Sequence, residues 1–436
     1  MAQKALILGA GRVSAPCVEY LARKGVDVTI VDVSDENLAR VAKLCPAARA
    51  VKDDAADAGR LIGEYSPGVV ISLLPHDLIF ASAKQCLEKK VNMVFPAYAG
   101  AEYSGIADEI KSSGLVFVAE LGLDPGIDHM SASRAITSIH ERGGKVESFR
   151  SLCGALPALD ANNNPWGYKL SWAPASLIGA SKRTAKTIRD GQVVTWPDGE
   201  TYEHVFMLDI PGYSFEVYAN ADSTPYIEAY GIPECGSIYR GTLRYPGWCE
   251  TICYMNRIRF FDTDEQDCDG LTFARFTARQ AGASGGAKAA LCKKFGLEPW
   301  SAFILKMEWL GFFSDKPLPF SRGSARDVVA VLFDEKLVLA PDEKDLVVLV
   351  DEITASYPDG RRRVTKSVLI DEGVPGKWTS IARTTGVPPA IAARYILEGK
   401  INTPGLHKPS AKEIYEPVLR ELAAENIKLE ESEYEI

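Results

Sequence analysis

Two glycines near the start of the chain form the first residue pattern that could support chemistry. Gly9 and Gly11 follow a short apolar run at residues 5–8, and residues 12–24 then read as a helix. A strand that turns through glycines into a helix brings backbone N–H groups close to a pyrophosphate, as in the G-x-G-x-x-G dinucleotide pattern. Ser14 replaces the third glycine, but it is small enough to keep the helix packed closely against the strand.

An acidic residue at the end of the next predicted strand extends this pattern. Asp32 follows the strand at residues 27–31 and lies 21 residues after Gly11. A carboxylate at this spacing commonly accepts hydrogen bonds from an adenosine ribose, and it repels a 2′-phosphate. We therefore predict NAD as the cofactor, with NADP as the second choice. The alternative is a doubly wound domain that binds another ligand, in which Asp32 only caps the following turn.

More polar side chains follow the sixth predicted strand, at residues 121–130. Asp124, Pro125 and Gly126 form a predicted turn, and Asp124 faces the ligand crevice if the predicted sheet is correct. Asp128 is suited to cap the next helix. His129 lies inside that helix, where histidine is more often structural than catalytic.

Two arginines and a cysteine are the candidates in the second half of the chain. Arg240 and Arg244 lie four residues apart, so an extended strand would point both to one face. Guanidinium groups bind carboxylates through a bidentate fork, so the pair is either a carboxylate clamp or two surface charges. Cys153, considered alone, is typical of a small buried apolar residue.

Alternating strands and helices are expected to position the N-terminal candidates. Six apolar strands are predicted at residues 5–8, 27–31, 48–51, 68–74, 92–95 and 115–119. Helical crossovers between them predict a Rossmann-like parallel sheet. Ligands of such sheets bind beyond the carboxyl ends of the strands. The predicted crevice residues are 9–13, 32, 53–54, 74–75, 96–98 and 120–125.

The pattern changes in the rest of the chain. Alternating apolar residues with many aromatics at 145–245 predict a mainly antiparallel or mixed sheet. The next segment, to about residue 336, reads as helical, and strands return at 345–351 and 362–369. Three C-terminal helices are predicted at 379–385, 388–397 and 411–426. The acidic segment 430–435 is expected to be frayed.

Composition limits the classes of function. A chain of 436 residues is expected to form two or three domains. A net charge of −9 argues against nonspecific binding to nucleic acid or anionic membranes, and no apolar run approaches the roughly 18 residues of a membrane span. The N-terminus reads as a strand rather than a signal or transit peptide. Nine scattered cysteines without a histidine cluster predict no metal site, and reduced thiols fit a cytoplasmic protein.

Six segments along most of the chain match the motifs of one known family. They are Gly-Leu-Asp-Pro-Gly-Ile-Asp-His at 122–129, Cys-Gly-Ala-Leu-Pro-Ala at 153–158, Asn-Pro-Trp-Gly-Tyr-Lys-Leu-Ser-Trp at 164–172, Asp-Ser-Thr-Pro-Tyr at 222–226, Arg-Gly-Thr-Leu-Arg-Tyr at 240–245 and Trp-Leu-Gly-Phe-Phe-Ser-Asp at 309–315. In these motifs the chain resembles the glutamate-forming saccharopine dehydrogenase (saccharopine reductase) family of lysine metabolism.

The resemblance implies an α/β fold of three parts. These are a Rossmann-like parallel sheet domain at 1–128 and 378–436, a mixed α/β substrate domain at 129–245 and 340–377, and an inserted helical domain at 246–339. Family members interconvert an imine and a secondary amine with a nicotinamide cofactor. The expected reaction converts saccharopine to glutamate plus α-aminoadipate semialdehyde, or the reverse. Since an imine nitrogen protonates readily, positioning and electrostatics should dominate catalysis.

The resemblance also implies site residues, some of which coincide with the candidates above. The catalytic candidates are Tyr98, Asp124 and Cys153. The substrate-binding candidates are Tyr98, Asp124, Thr242, Leu243 and Arg244. The cofactor-binding candidates are Gly9, Ala10, Gly11, Arg12, Val13, Asp32, Val33, Ser34, Asp53, Asp54, Leu74, Ala97, Leu123, Asp124 and Pro125.

Three positions depart from the family pattern. Asp32 ends the second strand, where the fungal relatives have a basic residue suited to NADPH, and Ala97 replaces a serine before Tyr98. Ala221 stands where relatives have an arginine that holds a substrate carboxylate. A charge-assisted hydrogen bond contributes roughly 1.5–3 kcal/mol, so either another cation compensates or the substrate has one carboxylate fewer. The candidate cations are Arg183, Lys169 and Lys182.

Two other functions remain as hypotheses. One is a related imine reductase or amine dehydrogenase with a different amino-acid-derived substrate, and the other is a non-catalytic dinucleotide-binding scaffold. The expected partner is a small molecule, with no nucleic acid, membrane or metal, and a homodimer is compatible with the sequence.

Overall fold

The computed structural model describes residues 3–171 and 174–436, with the side chains of 174–176 left aside. The chain forms two compact units. The first unit comprises Met1–Glu147, Glu228–Glu234 and Leu349–Ile436, and the second comprises Ser148–Ile227 and Cys235–Val348. The division into three domains that the sequence suggested stays a prediction. Trp172, which ends the motif at 164–172, lies outside the described residues.

Strand and helix alternate over the N-terminal part of the first unit. The elements are β1 Lys4–Leu8, α1 Ser14–Arg23, β2 Asp27–Asp32, α2 Asp35–Leu44, β3 Arg49–Lys52, α3 Ala58–Tyr65, β4 Val69–Ser72, α4 His76–Glu88, β5 Asn92–Val94, the 3₁₀ helix Ala101–Gly105, α5 Ala107–Ser112, β6 Val116–Val118 and α6 Ile127–Glu141. Side chains cap several helix starts: Ser34 accepts a hydrogen bond from the Asn37 N–H, and Asp57 from the Arg60 N–H.

Strands dominate the next part of the chain. The elements are β7 Lys145–Pro157, α7 Pro174–Ala180, β8 Ala185–Arg189, β9 Gln192–Trp196, the 3₁₀ helix Glu200–Glu203, β10 Phe206–Ile210, β11 Tyr213–Ala219, α8 Tyr226–Ala229 and β12 Ser237–Arg244. A mainly helical part and a C-terminal α/β part follow. Their elements are α9 Trp248–Arg257, β13 Gln266–Asp267, α10 Phe273–Gln280, α11 Ala287–Phe295, α12 Ala302–Leu310, β14 Arg322–Gly323, α13 Ala325–Lys336, β15 Asp345–Ser356, β16 Arg362–Glu372, α14 Ser380–Leu397, β17 Gly405–His407, α15 Lys412–Ala424 and β18 Glu430–Glu435.

A seven-stranded parallel sheet lies at the centre of the first unit. Its order is β17-β6-β5-β4-β1-β2-β3, and every pairing is parallel. Helices cover both faces of such a sheet, which explains why its strands are short and apolar. Residues Leu6, Ile7, Ile30 and Val70 are fully buried. The six predicted strands are present, and the three-residue β17 is a seventh that the sequence analysis missed.

The second unit contains a mixed sheet. Strand β12 pairs in parallel with β7 and antiparallel with β11, and β11 pairs antiparallel with β10. Strands β8 and β9 form a hairpin beside β12. The predicted fold class, a Rossmann-like parallel sheet with a mixed sheet and additional helices, is therefore confirmed. In the part of the chain that the structure describes, no helix has the length and apolar character needed to cross a bilayer.

Two predictions near the C-terminus are wrong. Helix α14 is continuous, with Pro388 and Pro389 inside it, because most of its residues are buried against the rest of the first unit. The acidic segment 430–435 is strand β18, paired antiparallel with β16, rather than a frayed end. Arginines offset its negative charges, in the pairs Arg134–Glu431, Arg142–Glu433 and Arg361–Glu435.

Candidate functional site

The glycine turn after β1 has the geometry of an anion-binding helix start. Gly9 has φ +95°, and an added Cβ would come within 3.0 Å of the Leu73 carbonyl oxygen, so this position requires glycine. A Cβ at Gly11 would meet open space. Val13 precedes α1 and has no side-chain acceptor for the first N–H groups of the helix. Those N–H groups are suited to bind an anion.

Charged side chains surround this turn. The Asp32 carboxylate accepts hydrogen bonds from the Ala10 N–H at 2.6 Å and from the Ser34 N–H at 2.8 Å. Arg40 donates to the Ala10 carbonyl oxygen at 2.6 Å. Burial and the nearby positive charge of Arg12 lower the pKa of the Arg40 guanidinium. The guanidinium groups of Arg12 and Arg40 therefore lie beside the turn. The Asp32 carboxylate lies there too, held by the main-chain N–H groups of Ala10 and Ser34.

Other predicted cofactor residues lie at the same edge of the parallel sheet. The Asp53 N–H donates to the Asp32 carbonyl oxygen at 3.1 Å, and the Leu74 side chain lies against Gly9. Asp53 also accepts a hydrogen bond from Arg60 at 2.7 Å, which lowers the pKa of that carboxyl. Asp54 is held by its own loop, since its side chain accepts from the Ala56 N–H.

The turn after β6 joins two of the catalytic candidates in the first unit. The Tyr98 hydroxyl donates to the Asp124 carboxylate at 3.1 Å. The Asp124–Pro125 peptide is cis, and the Gly122 N–H donates to the Pro125 carbonyl oxygen at 2.8 Å. A Cβ at Gly126 would collide with the Gly122 backbone, so the turn depends on this glycine.

Asp128 and His129 both lie inside α6. The prediction that Asp128 caps this helix is wrong, because α6 begins at Ile127 with Gly126 at the N-cap and no side-chain cap. The Asp128 carboxylate instead accepts a hydrogen bond from the Gly126 N–H at 2.5 Å. His129 is buried, with Nε2 3.1 Å from the Glu120 carboxylate and Nδ1 2.9 Å from the Tyr230 hydroxyl. Glu120 and Tyr230 belong to no motif that assigns them these contacts, because the contacts depend on the tertiary fold.

Arg244 is a buried cation in the second unit. It is 3% exposed, and its guanidinium lies over the rings of Tyr168, Tyr218 and Trp248 at 5.1–5.9 Å. One of its nitrogens donates to the Leu243 carbonyl oxygen at 2.8 Å. Among the residues described, no carboxylate forms an ion pair with it. A buried guanidinium without a counter-ion is costly, so this site is suited to bind an anion.

Arg240, the other half of the predicted clamp, has a different environment. Its guanidinium lies 4.3 Å from the centre of the Tyr226 ring and also donates to the Tyr226 hydroxyl. The two arginines lie on one extended strand, as predicted, but they contact different aromatic residues. A shared carboxylate clamp stays a prediction.

Cys153, Thr242 and Leu243 are neighbours in the mixed sheet. Cys153 lies opposite Thr242 in the parallel register of β7 and β12, and it is half-buried. Leu243 packs closely on Gly154, the next residue of β7. A Cβ added to Gly154 would lie 2.8 Å from the Leu243 Cβ. Within the described ranges, no group of three or more His, Cys, Asp or Glu side chains is placed to hold a metal ion.

The surroundings of Ala221 distinguish the three cations proposed to compensate for it. Lys169 forms an ion pair with Glu343, and Lys182 pairs with Asp262 at 3.1 Å. Arg183 instead donates to the Asn220 side-chain oxygen at 3.2 Å, next to Ala221 in the chain. Of the three, Arg183 is the cation beside the altered position.

Comparisons with known proteins identify the family of this chain. The model of the saccharopine dehydrogenase NADP binding domain matches residues 5–118, and that of the saccharopine dehydrogenase C-terminal domain matches residues 122–427. The chain belongs to the saccharopine dehydrogenase family. The resemblance found in the sequence is thereby confirmed.

Three members of this family show how far the similarity extends. Saccharopine dehydrogenase [NADP(+), L-glutamate-forming] of Schizosaccharomyces pombe is 34% identical, over 98% of each chain. The mitochondrial alpha-aminoadipic semialdehyde synthase of Bos taurus is 33% identical over 98% of this chain, which corresponds to 47% of that protein. Apo saccharopine dehydrogenase (L-Glu forming) of Saccharomyces cerevisiae superposes with a TM-score of 0.91 at 31% identity, covering 99% of this chain and all of that one.

The prediction of NAD as the main cofactor is wrong. The matched N-terminal domain is described as NADP binding, and the S. pombe relative is named as an NADP(+) enzyme. Asp32 alone was a poor guide because its carboxylate is hydrogen bonded to Ala10 and Ser34 in the fold. The prediction also ignored the two positive charges beside the same turn, Arg12 and Arg40.

Proposed function

We propose that this protein is an NADP(H)-dependent, glutamate-forming saccharopine dehydrogenase. The secondary amine of saccharopine would lose a hydride to the nicotinamide and a proton to give an imine. Water would then hydrolyse that imine to glutamate plus α-aminoadipate semialdehyde, and the reverse reaction would follow the same steps backward. Support comes from relatives of that name that align with almost the whole chain. The single structural observation that carries the proposal is the buried Arg244 guanidinium, which forms no ion pair with a carboxylate in the described part of the protein and is suited to bind a substrate carboxylate.

The residues around the glycine turn fit an NADP(H) cofactor. Open space at Gly11 and the N–H groups at the start of α1 suit a pyrophosphate. Arg12 and Arg40 supply the positive charge that a 2′-phosphate needs, since an arginine near the second strand commonly accommodates that group. The remaining cofactor candidates form the strand ends and the turn after β6. They are Gly9, Ala10, Val13, Asp32, Val33, Ser34, Asp53, Asp54, Leu74, Ala97, Leu123, Asp124 and Pro125.

Positioning is the main task proposed for the substrate residues. Asp124, which accepts a hydrogen bond from Tyr98, would hold the protonated substrate nitrogen, and the Tyr98 hydroxyl would keep that carboxylate oriented. Arg244 would bind a substrate carboxylate, and Thr242 and Leu243 would line the adjacent strand. Cys153 would contact substrate without a covalent step.

Arg183 is proposed to replace the arginine that relatives have at position 221. Its hydrogen bond to Asn220 uses one of five guanidinium donors, so several remain available for a carboxylate. Lys169 and Lys182 are less suited because each has an acidic partner. If Arg183 does not act in this way, a substrate with one carboxylate fewer becomes the better candidate.

The test is a steady-state assay of the purified protein in both directions. We expect NADP⁺ reduction with saccharopine and NADPH oxidation with glutamate plus α-aminoadipate semialdehyde. Parallel assays should replace glutamate with other amines, and replace NADP(H) with NAD(H). Turnover of another amine in preference to glutamate would support the related imine reductase, and cofactor binding without any turnover would support the scaffold. A homodimer and a location in the cytoplasm stay predictions from the sequence.

A further inference from the structure

Glu120 is a buried carboxylate with an unusual backbone conformation. It follows β6, is 1% exposed, and has φ +56°. Left-handed backbone is uncommon for residues other than glycine and persists where surrounding contacts hold it. In a parallel sheet, this strand end is also where ligands bind. The contacts that hold Glu120 therefore bear on the neighbouring site.

Glu120 holds the main chain on both sides of Tyr98. Its N–H donates to the Ala97 carbonyl oxygen at 3.1 Å, and its carboxylate accepts from the Ala99 N–H at 3.2 Å. Four residues after Glu120, Asp124 accepts the hydrogen bond of the Tyr98 hydroxyl. Glu120 thus fixes the loop that contains Tyr98, and it begins the turn that contains Asp124.

Two positive or proton-donating side chains hold the Glu120 carboxylate in turn. Lys408 Nζ lies 2.9 Å from Oε1, and His129 Nε2 lies 3.1 Å from Oε2. Burial alone would raise the pKa of the Glu120 carboxyl, but its contacts with His129 and Lys408 outweigh burial and lower it. His129 also contacts Tyr230, so the carboxylate is fastened to α6 as well as to the loop of Tyr98.

We propose that Glu120 is a positioning residue that fixes Tyr98 against Asp124, with His129 and Lys408 holding its carboxylate in place. The inference rests on the proposed function, in which Asp124 contacts the substrate and Tyr98 orients Asp124. It assigns Glu120 no contact with substrate. Its effect reaches the reaction through the distance and angle of the Tyr98–Asp124 hydrogen bond.

The first test compares Glu120→Ala with Glu120→Gln. The alanine variant loses the acceptor for the Ala99 N–H, so kcat should fall roughly 10- to 100-fold, the loss expected from misplacing a reacting group by about 1 Å. The Kd for NADP⁺, measured by titration, should change less than two-fold. Glutamine keeps an acceptor for Ala99 and should restore most of kcat. Glu102→Ala, an exposed carboxylate on the same stretch, is the matched control and should leave kcat unchanged.

Two outcomes of these assays would overturn the proposal. One is a folded Glu120→Ala enzyme with kcat and KM at wild-type values. The other is an equal loss of kcat and NADP⁺ affinity that follows a lowered melting temperature in both variants, since that marks a structural role. If Glu120→Ala does not fold, Lys408→Met serves instead, because this side chain is 47% exposed and its replacement should disturb packing little. It should lower kcat by about two- to five-fold.

A second measurement does not depend on the substrate. Placing 3-fluorotyrosine at position 98 gives a ¹⁹F resonance that reports the order of this ring. We expect one narrow line in the otherwise wild-type protein and a shifted or broadened line in Glu120→Ala or Lys408→Met. An identical line in all variants would refute the positioning role. Absence of saccharopine turnover by the wild type would refute the proposed function. The ¹⁹F line would still test whether Glu120 positions Tyr98.

Discussion

At the scale of single residues, Arg244 combines a positive charge with a buried, largely aromatic environment. A guanidinium buried among aromatic rings gains cation–π contacts, yet no carboxylate of the described residues forms an ion pair with it. Removing the side chain should therefore affect anion binding more than it affects the fold. Arg244 is also the substrate candidate whose role can be separated from cofactor binding.

We expect Arg244→Ala to raise the KM for saccharopine roughly 10- to 100-fold, the equivalent of losing a charge-assisted hydrogen bond. The Kd for NADP⁺ should stay within two-fold, because the cofactor candidates lie in the first unit. Arg244→Lys keeps the charge but loses the planar fork, so its KM should be intermediate. Equal losses of substrate and cofactor affinity would mean that the arginine serves the fold.

The proposed role of Arg183 is tested by removing its positive charge and placing an arginine at position 221 instead. Arg183→Ala should raise the KM for saccharopine, and adding Ala221→Arg to that variant should restore part of the affinity. Arg189→Ala, an exposed arginine at the end of β8, is the matched control and should have little effect. A wild-type KM in Arg183→Ala would show that this cation is not used, and would favour a substrate with fewer carboxylates.

At the scale of elements, α14 packs against the start of α1 through a glycine. A Cβ added at Gly386 would collide with the Val13 carbonyl oxygen beside the predicted pyrophosphate site. Gly386→Ala should therefore destabilise the protein and weaken NADP⁺ binding, although alanine favours helix by about 1 kcal/mol. Gly63→Ala in α3, where an added Cβ meets open space, should instead raise the melting temperature. A higher melting temperature in both variants would show that the α1–α14 contact accommodates the added methyl group without loss of stability.

Sequence patterns predicted some elements well because the cause is local. The strands of the parallel sheet are buried on both faces, so each reads as a short apolar run. Strand β17 has only three residues and β18 is acidic, so neither has such a run. Prolines suggested a break in α14, whereas tertiary burial keeps that helix continuous. Local pattern therefore located the glycine turn and Asp124 but not these elements.

The site shows the same limit. Motifs named Tyr98, Asp124 and Arg244, but the bonds of Glu120 to Ala99 and Lys408 join residues far apart in sequence. No periodicity reveals such contacts. Asp32 misled the cofactor prediction for a related reason, since its hydrogen bond to Ala10 and the nearby Arg40 are set by the fold.

At the scale of the molecule, one carboxylate ties together three helices of the first unit. Glu421 of α15 accepts hydrogen bonds from Tyr20 of α1 at 2.9 Å and from Tyr395 of α14 at 3.2 Å. Lys24 and Arg394 lie 2.8 and 3.2 Å from the same carboxylate. Burial raises its pKa, but these hydrogen bonds and charges outweigh burial and lower the pKa from 4.5 to about 2.

This lowered pKa predicts a specific loss of stability in acid. The unfolded chain takes up the Glu421 proton near pH 4.5, while the folded protein resists it until about pH 2. The stabilisation is therefore complete above the higher value and declines as the pH falls between the two. We expect Glu421→Gln to lower the free energy of unfolding at pH 7 and to reduce its slope between about pH 4.5 and pH 2, measured by urea unfolding. Glu416→Gln, an exposed residue on the same helix, should leave both nearly unchanged. An unaltered acid slope in Glu421→Gln would show that other carboxylates account for the acid sensitivity.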